Sequence, residues 1–344
     1  MSILQAIILG IVQGLTEFIP ISSTAHLIFA SRAIRLYEGQ AERAEQTTAT
    51  IAVIQLGTLL AVLIYFAPDI WKITRAFVLD HLALLGGKPG NAEAGSTATA
   101  GRPARLSREA WLGWLVIIGS LPVAIVGLLF KKQIEGTFTK NLWVIATMMV
   151  VIAIFLAIAE FVGRQQRSME ELGVSDALAV GGAQVLALIP GASRSGSTIM
   201  GGLFAGEKRE TAARFSFLLS IPAIAASGLL ELKEAVHRLP DGSYGSLAVA
   251  TIVSGIVGYA SIWFLLRFLR THTTGIFIGY RLIVGIAIMA LLLTGRLAPL
   301  DSTEAAASEQ HSSAVSQPVA RPGAGIETNN NQQDSVHLRL PLLR

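Results

Sequence analysis

Apolar runs of membrane-crossing length alternate with short polar interruptions through nearly the first 297 residues. A helix needs about 20 mostly apolar residues to cross the hydrocarbon layer. Candidate segments fall at 3–33, 48–67, 112–130, 142–162, 177–204, 212–230, 247–269 and 276–295, which predicts roughly eight passes. Open sheets would leave edge amides unsatisfied in lipid, so the expected fold is all-α, a polytopic transmembrane helical bundle. Two segments are broken in a similar way. Each carries a Gln on an apolar helix, then a proline (Pro20, Pro190), then a cluster of hydroxyls, then apolar sequence again. Broken or re-entrant helices in corresponding halves of a chain point to inverted repeats with a binding site between them.

Residues 1–297 read as one integral membrane domain with halves at about 1–135 and 170–297. Between 68 and 111 the sequence reads as a loop holding Lys72, Arg75, Lys88, Arg102, Arg105 and Arg108, which the positive-inside tendency would place in the cytoplasm. Its Gly-, Ala- and Ser-rich part, 86–106, is expected to be flexible. Residues 298–344 are polar, without apolar periodicity, and read as a disordered tail.

Composition narrows the class. Of 344 residues, 52% are hydrophobic and 15% charged, against about 25% charged in soluble domains. The absence of cysteine excludes disulfides, thiolate nucleophiles and cysteine-held metals. A net charge of +4 fits basic loops beside anionic headgroups, with no nucleic acid as partner. The first basic side chain is Arg32, so the N-terminus reads poorly as a signal peptide and is expected to stay in the mature protein.

The polar groups in the breaks carry the chemistry. Gln13 and Glu17, spaced i, i+4, share a helix face. Ser23 and His26, spaced i, i+3, share another if a helix resumes after Pro20. A carboxylate, hydroxyls and an imidazole can move a proton and present a nucleophile. Ser22 and Thr24, taken alone, read as helix caps. In the second break Gly191 and Gly196 allow close backbone approach, and Ser193, Ser195, Ser197 and Thr198 surround Arg194. A helix starting there aims free N–H groups and its positive end at an anion, and the Arg194 fork suits phosphate oxygens. No Walker loop is present. Glu160, Glu207 and Glu231 read as interfacial, His81, His237 and His272 as loop residues, and the run from Gly201 to Gly206 as a close-packing surface. A divalent cation, if used, would bridge phosphate and a carboxylate such as Glu17.

These motifs resemble the bacterial undecaprenyl-diphosphate phosphatase family, also called bacitracin-resistance proteins. Gln13 and Glu17 match its [E/Q]-x-x-x-E element, Pro20 to His26 its P-x-S-S-T-x-H element, and Pro190 to Thr198 its P-G-x-S-R-S-x-x-T signature. Gln at 13 leaves one carboxylate at that point. The resemblance implies an enzyme of the bacterial cytoplasmic (inner) membrane that hydrolyses undecaprenyl diphosphate, an acid anhydride, to undecaprenyl phosphate and inorganic phosphate. That reaction recycles the lipid carrier for peptidoglycan synthesis, cell-wall biogenesis and cell shape, and confers bacitracin resistance. It further implies a site on the outer side, a divalent cation (Mg2+ or Ca2+) and a polyprenyl diphosphate lipid as partner; a homodimer is left open. Carried onto matching positions, Glu17, Ser23, His26 and Arg194 are the catalytic set. Gln13, Ser22, Gly191, Ser193, Arg194, Ser195 and Thr198 bind diphosphate, and Glu17 is the metal candidate.

The rival reading is a transporter or flippase for an anionic polyprenyl phosphate lipid, since half-helix dipoles facing an anion are also the transporter plan. It leaves Glu17, Ser23 and His26 without a task. The acid-phosphatase-like lipid phosphatases need H-x-x-x-D soon after Ser-Arg, and the next histidine after Arg194 is His237.

Overall fold

Each apolar run becomes a helix, but two runs turn back instead of crossing. The structure, a computed structural model, describes residues 1–37, 43–86, 106–130, 141–238 and 244–299, and their side chains except those of 43–45, 227 and 229–238. In chain order the helices are α1 (Ile3–Phe18), α2 (Ser23–Ala33), α3 (Arg43–Tyr65), α4 (Ala67–Leu85), α5 (Arg108–Leu129), α6 (Leu142–Val162), α7 (Val174–Val185), α8 (Arg194–Phe204), α9 (Arg209–Arg238), α10 (Tyr244–Leu269) and α11 (Gly275–Leu293). Helices α3, α5, α6, α10 and α11 are long and apolar enough to cross a membrane. α9, with 30 residues, has the length as well.

The broken segments are the hairpins α1–α2 and α7–α8, so the expected eight passes give way to crossing helices plus two re-entrant pairs. Their entry sides follow from connectivity. The Gln5 amide donates to the Ile34 carbonyl at 2.8 Å, tying the outer ends of α1 and α2 together. From there α3 runs 23 residues, about 34 Å at 1.5 Å per residue. Just beyond its far end, Asp69 pairs with Arg214, one turn into α9 and shortly after the end of α8. The two hairpins therefore enter from opposite faces, as inverted repeats require.

Residues 68–85, read as loop from sequence, belong to α4, where Asp69, Asp80 and His81 are held by neighbouring elements. Asp80 is buried and accepts the Ser107 amide at 2.7 Å, next to the Ser107 side chain that caps α5. His81 lies inside this helix and accepts from the Trp114 indole at 3.1 Å. Charged side chains had hidden the helix, because its partner is protein as much as lipid. Residues 87–105, which contain nearly all of the expected flexible segment, and the tail from 300 lie outside the described residues.

Outward apolar rows mark the lipid-facing surface. Ile117, Leu121, Ile125 and Leu128 on α5, and Ile252, Ile256, Tyr259 and Trp263 on α10, are exposed at helical spacing. Inside, Phe18, Phe66 and Phe217 pack edge-on or tilted between α1, the α3–α4 turn and α9. The close-packing reading of the glycine run holds at Gly201 and Gly202, where an added Cβ would come within 2.7 Å of α7 and of Glu207.

Glu207 departs from expectation, and Glu160 is better held than an interfacial residue. Glu160 accepts from Arg209 at 2.6 Å and from Thr274 at 2.8 Å, tying the ends of α6, α9 and α11. Glu207, in the α8–α9 turn, is wholly buried, and among the described residues neither carboxylate oxygen has a hydrogen-bond partner. Burial, and then the nearby Asp176, push its carboxyl up to about 8 against an opposing pull from Arg167. Since the folded chain holds this proton more tightly than the unfolded one, the stabilisation is complete below about 4.5 and is lost as pH rises towards 8. Thermal unfolding in detergent should accordingly move to lower temperature between pH 5 and 8.5. Glu207→Gln should flatten that slope; an unchanged slope would refute the assignment.

Candidate active site at the junction of the two breaks

α1 stops at Phe18, just before Pro20, and α7 stops at Val185, from which a 3-10 turn over Leu186–Leu188 leads to Pro190. After each proline the chain restarts through a serine in the left-handed region. Ser22 has φ 78° and Ser193 φ 69°, at the N-cap positions of α2 and α8. Such conformations cost about 1–3 kcal/mol in non-glycine residues and gather at functional sites. Gly191 has φ +91°, and an added Cβ would lie 2.2 Å from the Ile145 carbonyl oxygen, so only glycine fits there. The caps differ. The Ser193 hydroxyl accepts the Gly196 amide at 3.2 Å. The Ser22 hydroxyl, expected to cap, makes no capping bond and is buried without a partner. Two helix N-termini, each opening an 11-residue helix, thus face the region between the breaks.

One contact joins the breaks directly. The Arg194 guanidinium donates from Nη2 to Glu17 Oε1 at 3.1 Å, across 177 positions of sequence. Glu17 is buried and Arg194 nearly so, with 6% and 12% of their side chains exposed. Arg194 Nη1 is buried and has no hydrogen-bond partner among the described residues. On the other side of Glu17, the Gln13 amide donates to Oε2 at 3.1 Å and to the Thr58 hydroxyl at 3.3 Å, which leaves the Gln13 Oε1 oxygen unpartnered. Ser195 adds a second tie, its hydroxyl lying 3.3 Å from the Ile19 carbonyl oxygen and 3.4 Å from that of Glu17.

Other expected residues sit differently. The Thr198 hydroxyl is wholly buried, donates to the Arg194 carbonyl at 2.7 Å and pairs with Ser216. Ser23 opens α2, half-buried. His26 does not touch Glu17. Its Nδ1 meets the Ser22 carbonyl at 2.7 Å, which requires Nδ1 to be the donor, and its Nε2 meets the Tyr280 hydroxyl at 2.7 Å. Sequence reading passed over Thr58, Ser216, Tyr280 and Arg281. A cation inside the apolar run of α11 was the one available signal for Arg281. Gln184, likewise buried, has both amide atoms unpartnered.

Among the described residues no group of three or more His, Asp and Glu could hold a metal ion. The Gln13 and Glu17 oxygens can supply part of a shell, which suits hard cations that complete their coordination with water and substrate phosphate.

A family model described as "Bacitracin resistance protein BacA" matches residues 6–287. The chain belongs to the BacA family. It is 50% identical over 292 residues to an undecaprenyl-diphosphatase of Syntrophobacter fumaroxidans, covering 84% of this chain and 97% of that protein. Proteins of the same name are 45% identical in Mycolicibacterium smegmatis, over 87% of this chain and 99% of theirs, and in Chlorobaculum tepidum, over 87% and 100%. The family match over residues 6–287 takes in both breaks, so the residues that meet at the junction belong to the part of the chain shared with the family.

Proposed function

We propose that this multi-pass membrane protein hydrolyses undecaprenyl diphosphate to undecaprenyl phosphate and inorganic phosphate, and that the junction of the two breaks is where it does so. The observation that carries the site is the buried Arg194–Glu17 pair, with an unpartnered guanidinium N–H beside two helix N-termini. Without substrate, the Glu17 carboxylate takes the place of a phosphate oxygen in the Arg194 fork. An arriving diphosphate displaces it: Arg194 turns to the terminal phosphate, and Glu17 is released as a base. Arg194 and the helix amides then stabilise charge on the equatorial oxygens as it builds in the transition state.

Ser23 is the proposed nucleophile. Its Oγ bonds to the terminal phosphorus as the bridging P–O bond breaks and the polyprenyl phosphate leaves with the bridging oxygen. Glu17 takes the hydroxyl proton and returns it to the leaving phosphate. Water then attacks the phosphoserine, freeing inorganic phosphate and restoring Ser23. Gln13 keeps Glu17 in place without adding a second negative charge opposite the incoming anion. Ser193 and Gly191 shape the phosphate cradle, while Ser195 and Thr198 brace it. A Mg2+ or Ca2+ ion would be held by Glu17 and the Gln13 amide oxygen and would supply charge neutralisation on the diphosphate.

The positive-inside tendency supports an orientation in the cytoplasmic membrane. Lys72, Arg108, Arg167, Lys208, Arg214 and Arg270 lie towards the face from which α7–α8 enters, which supports a reading with the α1–α2 hairpin on the outer side. Phosphate release from a polyprenyl diphosphate by the purified protein, with and without divalent cations, tests the activity. Ser23→Ala should lose about a hundredfold or more in kcat. Full activity in that variant would mean that water attacks directly.

A further inference from the structure

Arg281 lies in the middle of α11, wholly buried, and among the described residues it pairs with no carboxylate. Burying a cation without a counter-ion is expensive, and an apolar side chain would pack there at less cost. What surrounds it explains the burial. Nη1 donates to the Pro20 carbonyl at 3.3 Å, and Nη2 to the Gly191 and Ala192 carbonyls at 3.0 Å each. Nε reaches the Met149 carbonyl of α6 at 3.2 Å. Pro20, Gly191 and Ala192 are the non-helical backbone of the two breaks, whose carbonyls have no helical partner and, at membrane depth, little water. One guanidinium satisfies both breaks. It also lies against the first turn of α8, 3.1 Å from where a Cβ on Gly196 would be.

The neighbouring residue reaches the first break by a second route. Tyr280 stacks on His26, with ring centroids 5.6 Å apart, and its hydroxyl meets His26 Nε2. Because the Ser22 carbonyl can only accept, the neutral His26 ring keeps its proton on Nδ1 and takes the Tyr280 hydroxyl as donor. His26 thereby holds the carbonyl of the left-handed residue that sets the start of α2.

We propose that Tyr280 and Arg281 are positioning residues of the phosphatase reaction: α11 fixes the two breaks against each other, so that the Glu17 side and the Arg194 side of the site stay in register. This rests on the reading of the junction as the active site. Arg281 acts through backbone it holds on both sides, and Tyr280 acts through His26. With Glu17 and Arg194 neutralising one another, Arg281 also leaves the junction net positive towards a diphosphate.

The test compares wild type, Arg281→Lys, Arg281→Met and Tyr280→Phe in detergent, with Arg194→Ala as reference. For each, kcat and KM for polyprenyl diphosphate are measured beside thermal unfolding. A lysine keeps the charge but cannot reach carbonyls on three sides. Arg281→Lys should lose about thirtyfold or more in kcat per folded molecule with KM changed less than threefold. Tyr280→Phe, at a half-exposed position where folding is not at stake, should lose about tenfold in kcat. Wild-type kcat in Tyr280→Phe, or wild-type kcat per folded molecule in Arg281→Lys, overturns the proposal, and if neither Arg281 variant folds the Tyr280→Phe result decides it. Should Arg194→Ala stay active, the junction is not the active site and the failure lies with that reading instead.

Discussion

Arg194→Ala is expected to reduce kcat/KM for polyprenyl diphosphate by about a thousandfold or more, the largest effect of any single substitution in this protein. Three losses add in one direction. The substrate loses its fork of charge-assisted donors, including the Nη1 group that has no other partner. The transition state loses the cation nearest its developing charge, and removing one such donor typically costs about a hundred- to a thousandfold. Glu17 is left buried with no opposing cation, so its charge repels the incoming diphosphate. Arg194→Lys should recover only a small part, because a point charge cannot hold Glu17 or a phosphate oxygen with one nitrogen while a second donates elsewhere. A variant within tenfold of wild type would exclude Arg194 from the reaction.

Glu17→Gln should be the second largest, a loss in kcat on the order of a hundredfold, the lower part of the usual range for losing a positioned base. The substitution keeps the shape and lets an amide oxygen accept from Arg194, so the fold should survive with a modest loss of thermal stability. Its KM is predicted to stay level or fall. In wild type the carboxylate competes with diphosphate for Arg194, and an amide competes less. Steady-state kinetics separate this from simple damage: a large drop in kcat with KM raised more than tenfold would contradict the exchange of Glu17 for substrate.

Local sequence carried a good deal of this. The crossing helices follow the hydropathy runs closely, since a helix in lipid needs only a long enough apolar stretch. The breaks were visible too, because Pro20 and the Pro190–Gly191 pair bar a helix from running on through them, by constraints acting within a residue or two. Where polar residues had tertiary partners, the reading failed. The basic residues Lys72 and Arg75, with Asp80 and His81, count against a helix over α4 until the Ser107 amide and the Trp114 indole are seen to meet the last two. Glu207 was placed at an interface, although it sits under the α8–α9 turn beside Arg167 and Asp176.

By itself, then, the sequence determined which stretches are helical, where two of them stop and which polar side chains stand at those stops. These depend on hydropathy, ring closure at proline and side-chain chemistry, all of which act over a few neighbouring residues. Only the tertiary structure decided that the hairpins enter from opposite faces, that Glu17 takes Arg194 rather than His26 as its partner, and that Arg281 closes the gap between the breaks. Those outcomes depend on groups brought together from 90 to 261 positions apart, and the carbonyls that require a buried cation exist only once both breaks have been packed at the same depth.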